Sequence, residues 1–128
     1  MKILPKKSLG QNFLINKNII KKICDAGLID KKDAVIEIGP GTGNLSDFII
    51  QKKPRNFYLI EKDKRFISYL NEKFKEKVNV INEDILTYDL KKLDDSNFIV
   101  FGNLPYNVSS QILTKFINYN PKNFMYKK

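Results

Sequence analysis

The sequence predicts an α/β fold with a mainly parallel sheet covered by helices on both faces. Three observations lead there. Short apolar runs alternate with amphipathic stretches along the chain, the pattern of strand–helix–strand units. The first apolar run empties into "GPGTG", three glycines at alternate positions. The second ends on an acid, Glu61. In open sheets of this kind ligands bind beyond the carboxyl ends of the strands, so chemistry-bearing residues should collect where each strand stops.

Taken in order, residues 16–28 place Ile19, Ile20, Ile23 and Leu28 at helical spacing, with Asn16 or Asn18 as cap. "AVIEIG" (34–39) is the first strand, and "NLSDFIIQKK" (44–53) is a helix stopped by Pro54. "NFYLIE" (56–61) is the second strand. "KRFISYLNEKFK" (64–75) is an amphipathic helix with Phe66, Ile67, Leu70 and Phe74 on one side and Asp63 as cap. "VNVIN" (78–82) and "SNFIVFGN" (96–103) are further strands, "SSQILTKFINY" (109–119) a helix capped by Ser109 or Ser110, and "NFMYKK" (123–128) the start of a fifth strand.

The 128 residues suffice for one domain with a modest core. No apolar run approaches the ~20 residues that span a bilayer, and the charged start has no apolar segment behind it of the kind a secretory signal needs. There is one cysteine, Cys24, and no histidine, so neither an internal disulfide nor a zinc site is expected. A cytoplasmic, monomeric protein follows as the expectation. Net charge is +9, and 23 basic residues include only two arginines, Arg55 and Arg65. That balance suits a polyanion such as RNA, held through its backbone rather than read base by base. A lysine-rich composition bias would produce the same excess.

The strand ends carry the chemistry. Gly39, Gly41 and Gly43 permit a tight turn and close approach of backbone to a ligand. Asn44 stands where the dinucleotide fingerprint G-x-G-x-x-G needs its last glycine, and no P-loop Lys–Ser/Thr pair follows. A nucleoside without a pyrophosphate fits better. Glu61, 22 residues after Gly39, can accept both hydrogen bonds of a ribose diol. Asp84 either accepts from the exocyclic amine of an adenine, with Ile85 packed on the ring, or caps the turn "ILTYDL". The fourth strand delivers "NLPY". Tyr106 offers a stacking face for a flat base, Pro105 stiffens the turn, and Asn103 and Leu104 offer a side-chain and a backbone carbonyl. Two such acceptors aimed at one amino group would hold both its protons and turn its lone pair out of conjugation, toward a methyl donor.

Together "KKSLGQNFL" (6–14), "VIEIGPGTGNL" (35–45) and "VFGNLPYNVSS" (100–110) resemble the class I S-adenosylmethionine-dependent methyltransferases, and more narrowly the KsgA-type ribosomal RNA small-subunit adenine dimethyltransferases. The resemblance implies a Rossmann-like sheet. It also implies dimethylation of the exocyclic amines of two adjacent adenines in small-subunit ribosomal RNA within a pre-ribosomal particle, with S-adenosyl-L-methionine as cofactor and no metal or membrane. It assigns Asn12 and Leu14, with Gln11 and Phe13 nearby, to closing over the cofactor. Gly39 and Gly41 fall to its amino acid part, Glu61 to the ribose, Asp84 with Ile85 to the adenine, Asn103 to the junction of cofactor and substrate, and Tyr106 to the target base, with Lys62 also among the cofactor-binding residues. Lys2, Lys6 and Lys7 match the family's basic N-terminus, which helps hold RNA. DNA adenine and protein glutamine methyltransferases have Pro where Leu104 stands, and the large-subunit relatives usually have Ile.

The family's chains continue with more strands, a second stacking aromatic and a helical C-terminal domain. Residues 1–128 therefore read as the N-terminal part of the methyltransferase domain, ending within the fifth strand. Other classes stay open on sequence alone: a methyltransferase of large-subunit RNA, DNA adenine or a protein amide, a non-catalytic RNA-binding assembly factor, or a Rossmann protein that prefers NAD.

Overall fold

A computed structural model describes residues 16–95, 97–102, 106–119 and 125–127, with side chains except at 106–109, 117–119 and 125–127. Five parallel strands form one sheet: β1 (Ala34–Ile38), β2 (Asn56–Ile60), β3 (Asn79–Ile81), β4 (Phe98–Gly102) and β5 (Met125–Lys127), in the spatial order β3-β2-β1-β4-β5. Helices α1 (Lys17–Ala26), α2 (Asn44–Gln51), α3 (Lys64–Phe74) and α4 (Tyr106–Tyr119) complete the layers.

The strands divide their side chains with period two. Val35, Phe57, Leu59, Ile99 and Phe101 face a core closed by Ile20 and Cys24 of α1, Leu45 and Ile49 of α2, and Phe66, Leu70 and Phe74 of α3. Ile36, Ile38, Tyr58, Ile60 and Val100 face the other way, against Ile112 and Phe116 of α4 and Ile85, Leu90 and Leu93 of the β3–β4 connection. All five residues of β1 and of β4 are buried, as strands covered on both faces require.

The predicted caps form at Asn16, whose side chain accepts from Asn18 N and Ile19 N, and at Asp63, which accepts from Arg65 N. Three details differ from expectation. Leu28 is not on the buried stripe of α1: the helix ends at Ala26, and Leu28 sits 80% exposed with φ 51°. Cys24 takes the buried place, and Gly27 follows because an added Cβ would come within 2.6 Å of the Phe101 ring. Ile67 is half-buried, flanking the stripe of Phe66, Leu70 and Phe74. Helix α4 begins at Tyr106, so Ser109 and Ser110 are interior residues rather than caps. Ser110 O accepts from Thr114 Oγ1 at 3.0 Å, an in-helix contact one turn away. Val108 extends the spacing of Ile112 and Phe116 back by one turn, which is why the helix starts early.

Candidate functional site

Register sets the site. Ile38 lies opposite Ile60 on one side and Gly102 on the other, and Ile60 lies opposite Ile81. The last residues of four strands thus form one row, and the chain leaves the sheet at one rim through Gly39, Glu61 and Asn82. β1 sits between β2 and β4, so the strand order reverses beside it, the crevice where open α/β sheets bind ligands.

The glycine turn is built around this rim. Gly39, Gly41 and Gly43 all have positive φ (67°, 59° and 84°), which side-chain-bearing residues rarely adopt. Their surroundings differ. A Cβ on Gly43 would meet the Phe74 ring at 2.7 Å, so packing excludes a side chain there. A Cβ on Gly41 would meet nothing within 4 Å, so packing leaves open space beside it. Lys73 holds the turn from α3, donating to Thr42 O and Asp47 Oδ2, each at 3.1 Å.

Glu61 is 6% exposed. Its Oε1 accepts from Gly41 N at 3.0 Å and its Oε2 from Asp63 N at 2.9 Å. Burial raises its pKa, and the backbone N–H groups of Asp63, Gly41 and Lys62 oppose that rise. The carboxylate keeps acceptor capacity for another donor. Asn82 fastens the strand exit, donating to Glu61 O at 2.9 Å and Lys62 O at 3.2 Å.

Asp84 performs the capping role: its Oδ1 accepts from Leu86 N at 3.0 Å and its backbone carbonyl from Thr87 N and Tyr88 N. The second oxygen lies 3.6 Å from Lys62 Nζ, a solvent-exposed pair of little energetic weight. Capping and amine recognition are compatible, because Oδ2 is not used by the turn. Lys62 itself is 78% exposed, at the rim rather than in the pocket floor.

These residues enclose a cavity of about 770 Å³, lined among others by Gly39, Glu61, Lys62, Asp84, Ile85 and Ile112. That size suits a nucleoside. The residues present fit S-adenosylmethionine: a carboxylate with acceptor capacity left, a second acid lining the same cavity, an apolar wall of Ile85 and Ile112, and a glycine turn at its edge. Of the expected site residues, the structure brings Gly39, Gly41, Glu61, Lys62, Asp84 and Ile85 together. Gln11, Asn12 and Leu14, and Asn103, Leu104 and Pro105, lie outside the described residues, as do Lys2, Lys6 and Lys7. Tyr106 is the first residue of α4, with its side chain likewise not described.

Sequence reasoning missed Glu37, Asn82 and Ile112. Glu37 is 2% exposed, on the α2 face of β1, where its Oε1 accepts from Ser46 Oγ at 2.5 Å. Burial, the largest influence, pushes its pKa from 4.5 up to about 8. The signal was present: an acid between two isoleucines in an otherwise apolar strand has to be buried. Asn82 and Ile112 carry no comparable mark, being ordinary residues whose value comes from what they meet.

Comparison with known proteins agrees with this fold. Residues 4–127 match the family described as ribosomal RNA adenine dimethylase. The chain is 45% identical over 126 residues to ribosomal RNA small subunit methyltransferase A of Pelagibacter ubique, covering 98% of this chain and 48% of that protein. It is 47% identical over 109 residues to the protein of the same name from Maridesulfovibrio salexigens, covering 84% and 41%. The chain thus spans about half the length of the curated relatives it matches. Among solved structures it resembles a dimethyladenosine transferase from Plasmodium falciparum, with TM-score 0.72, 29% identity, and 88% of this chain and 42% of that one covered. It also resembles the 23S rRNA methyltransferase ErmE, with TM-score 0.73, 25% identity, and 88% and 45% covered. The sheet is that of the Rossmann-like methyltransferases.

Proposed function

The chain belongs to the ribosomal RNA adenine dimethylase family, and on that premise we propose that it is the N-terminal part of an S-adenosylmethionine-dependent methyltransferase domain. The whole protein dimethylates the exocyclic amines of two adjacent adenines in small-subunit ribosomal RNA. The observation that carries this reading is the convergence of Gly39, Glu61 and Asp84, from three separate strand ends, on one nucleoside-sized cavity.

Bound S-adenosylmethionine supplies an electrophilic methyl group on its sulfonium. The chain's residues do the rest by placement. Glu61 receives the ribose hydroxyls on the lone pairs that Gly41 N and Asp63 N leave free. Because those two N–H groups already hold its carboxylate, little reorganisation accompanies binding. Asp84 Oδ2 accepts from the cofactor's adenine amine, and Ile85 and Ile112 cover its ring. Gly39 and Gly41 admit the amino acid part, over which Gln11, Asn12 and Leu14 close. Asn103 and the Leu104 carbonyl accept the two protons of the substrate amine, Pro105 stiffens that turn, and Tyr106 stacks on the unpaired base. Once methylated, the nitrogen becomes acidic and releases its proton to one of these carbonyls or to water, so no histidine is required. Lifting the base from its stack costs a few kcal/mol in a duplex and less in a loop.

The substrate is ribosomal RNA in a pre-ribosomal particle, held partly by the lysine excess, and the protein acts as a cytoplasmic monomer without metal. Among the described residues no helix is long and apolar enough to cross a membrane. Methyl-transfer assays on the full-length protein test the reading. Small-subunit particles lacking the modification should accept label, whereas naked DNA, large-subunit RNA and protein should not. Asn103→Ala should lower transfer at least a hundredfold with RNA binding kept. Transfer to DNA alone, or RNA binding without turnover by the unmodified protein, would overturn the assignment.

A further inference from the structure

Lys115 lies on the far side of the cavity wall and plays no part in the roles above. It is half-buried on α4, one turn beyond Ile112. Its Nζ donates to Ile85 O at 2.5 Å and to Tyr88 O, two carbonyls of the turn that carries Asp84. The turn's own N–H groups close on Asp84: Thr87 N and Tyr88 N onto its carbonyl, Leu86 N onto Oδ1. The ammonium thus takes carbonyls that those bonds leave over, with charge-assisted bonds stronger than neutral ones. Burial lowers its pKa, and the charges of Asp84 and Asp89 oppose that fall through space.

We propose that Lys115 is a positioning residue that latches the Asp84–Tyr88 turn to α4 and so sets the acceptor and the wall that recognise the cofactor's adenine. The proposal rests on the reading of the cavity as the S-adenosylmethionine site. Helix α4 then carries two things on one rigid rod. Its first residue is Tyr106, the proposed platform for the substrate base, and nine residues later, ~13 Å along the axis, it grips the cofactor's adenine site. The two adenines, one in the cofactor and one in the RNA, are indexed to the same helix.

Lys115→Met keeps the side chain's apolar stem and removes its donors. In the ligand-free full chain, amide exchange at Leu86, Thr87 and Tyr88 should speed up about tenfold while Ile36 and Val100 keep their protection, and Lys115→Arg should restore the turn. Calorimetry with S-adenosylhomocysteine should show about tenfold weaker binding. The preference for it over its hypoxanthine counterpart, which lacks the amine, should shrink at least threefold. Should the methionine variant also lose protection at Ile36 and Val100, Lys115→Gln is read by the same two measures. Unchanged exchange at the turn overturns the latch. Faster exchange with an unchanged adenine preference overturns the recognition role. An unmodified chain that binds neither nucleoside sinks the cofactor reading instead, and exchange at the turn still decides the latch.

Discussion

Each end of the sheet buries carboxylates, and the two ends treat them differently. At the amino ends of the strands Asp95, with its side chain 1% exposed, pairs with Arg55 and accepts from Asn56 Nδ2 at 2.8 Å and Tyr58 OH at 3.1 Å. Burial first, and then its bond to Asp95, raise the Tyr58 pKa to about 12. At the carboxyl ends Glu61 and Glu37 are held by backbone N–H groups and a serine hydroxyl, and among the described residues no Lys or Arg pairs with either. A cation-paired, multiply bonded acid has spent its acceptor capacity on the fold. An acid held by neutral donors keeps capacity for a ligand, at the cost of a raised pKa. The contrast separates the Asp95 clamp from Glu61 at the cavity, while Glu37, also held by a neutral donor, lies under α2 and outside the cavity lining.

Asp95→Ala should have the largest effect, about 4 kcal/mol lost in urea unfolding, since it leaves Asn56 Nδ2 and Tyr58 OH without their acceptor and opens a cavity where the carboxylate stood. Cofactor affinity of the folded fraction should stay within twofold. Equal loss of both would erase the distinction between the two ends. The pH dependence of Glu37 comes next. Its folded pKa, about 8, exceeds the ordinary 4.5, so the folded state holds the proton more tightly. The stabilisation is full below pH 4.5 and is lost as pH rises through 8, on the order of 3 kcal/mol between pH 5 and 8. Glu37→Gln should flatten that slope, measured by denaturation across the range.

Three smaller effects sharpen the comparison within the site. Glu61→Gln should weaken S-adenosylhomocysteine about thirtyfold by calorimetry, near 2 kcal/mol, while stability changes by about 1 kcal/mol or less. Gly43→Ala should destabilise by about 2 kcal/mol, because its Cβ meets Phe74 at a strained φ. Gly41→Ala should cost about 1 kcal/mol of stability, the strain alone, and show instead as weaker cofactor binding. Reversal of that glycine pair would mean that the open side of Gly41 does not face the ligand.

Local chemistry was readable from the residues. Short, nearly continuous apolar runs gave the strands, Asn16 and Asp63 announced their helices, and the glycine turn with Glu61 announced the rim. Helix α4 was misjudged because serines mark caps in most contexts, whereas here the apolar spacing through Val108 continues the helix past them. Leu28 was misjudged because helical spacing persists on paper after Gly27 has ended the helix.

What a single stretch of chain can specify is its own periodicity, its turns and the residue at its tip, since these depend on neighbours a few positions away. Which acids find a cation and which keep a free lone pair was settled by contacts spanning far more of the chain. Arg55 reaches Asp95, Gly41 reaches Glu61 and Lys115 reaches Ile85 only because parallel crossovers bring their strand ends and helix into register. Burial then sets the electrostatics, because a carboxylate's pKa follows the water and charge around it rather than its position in the sequence.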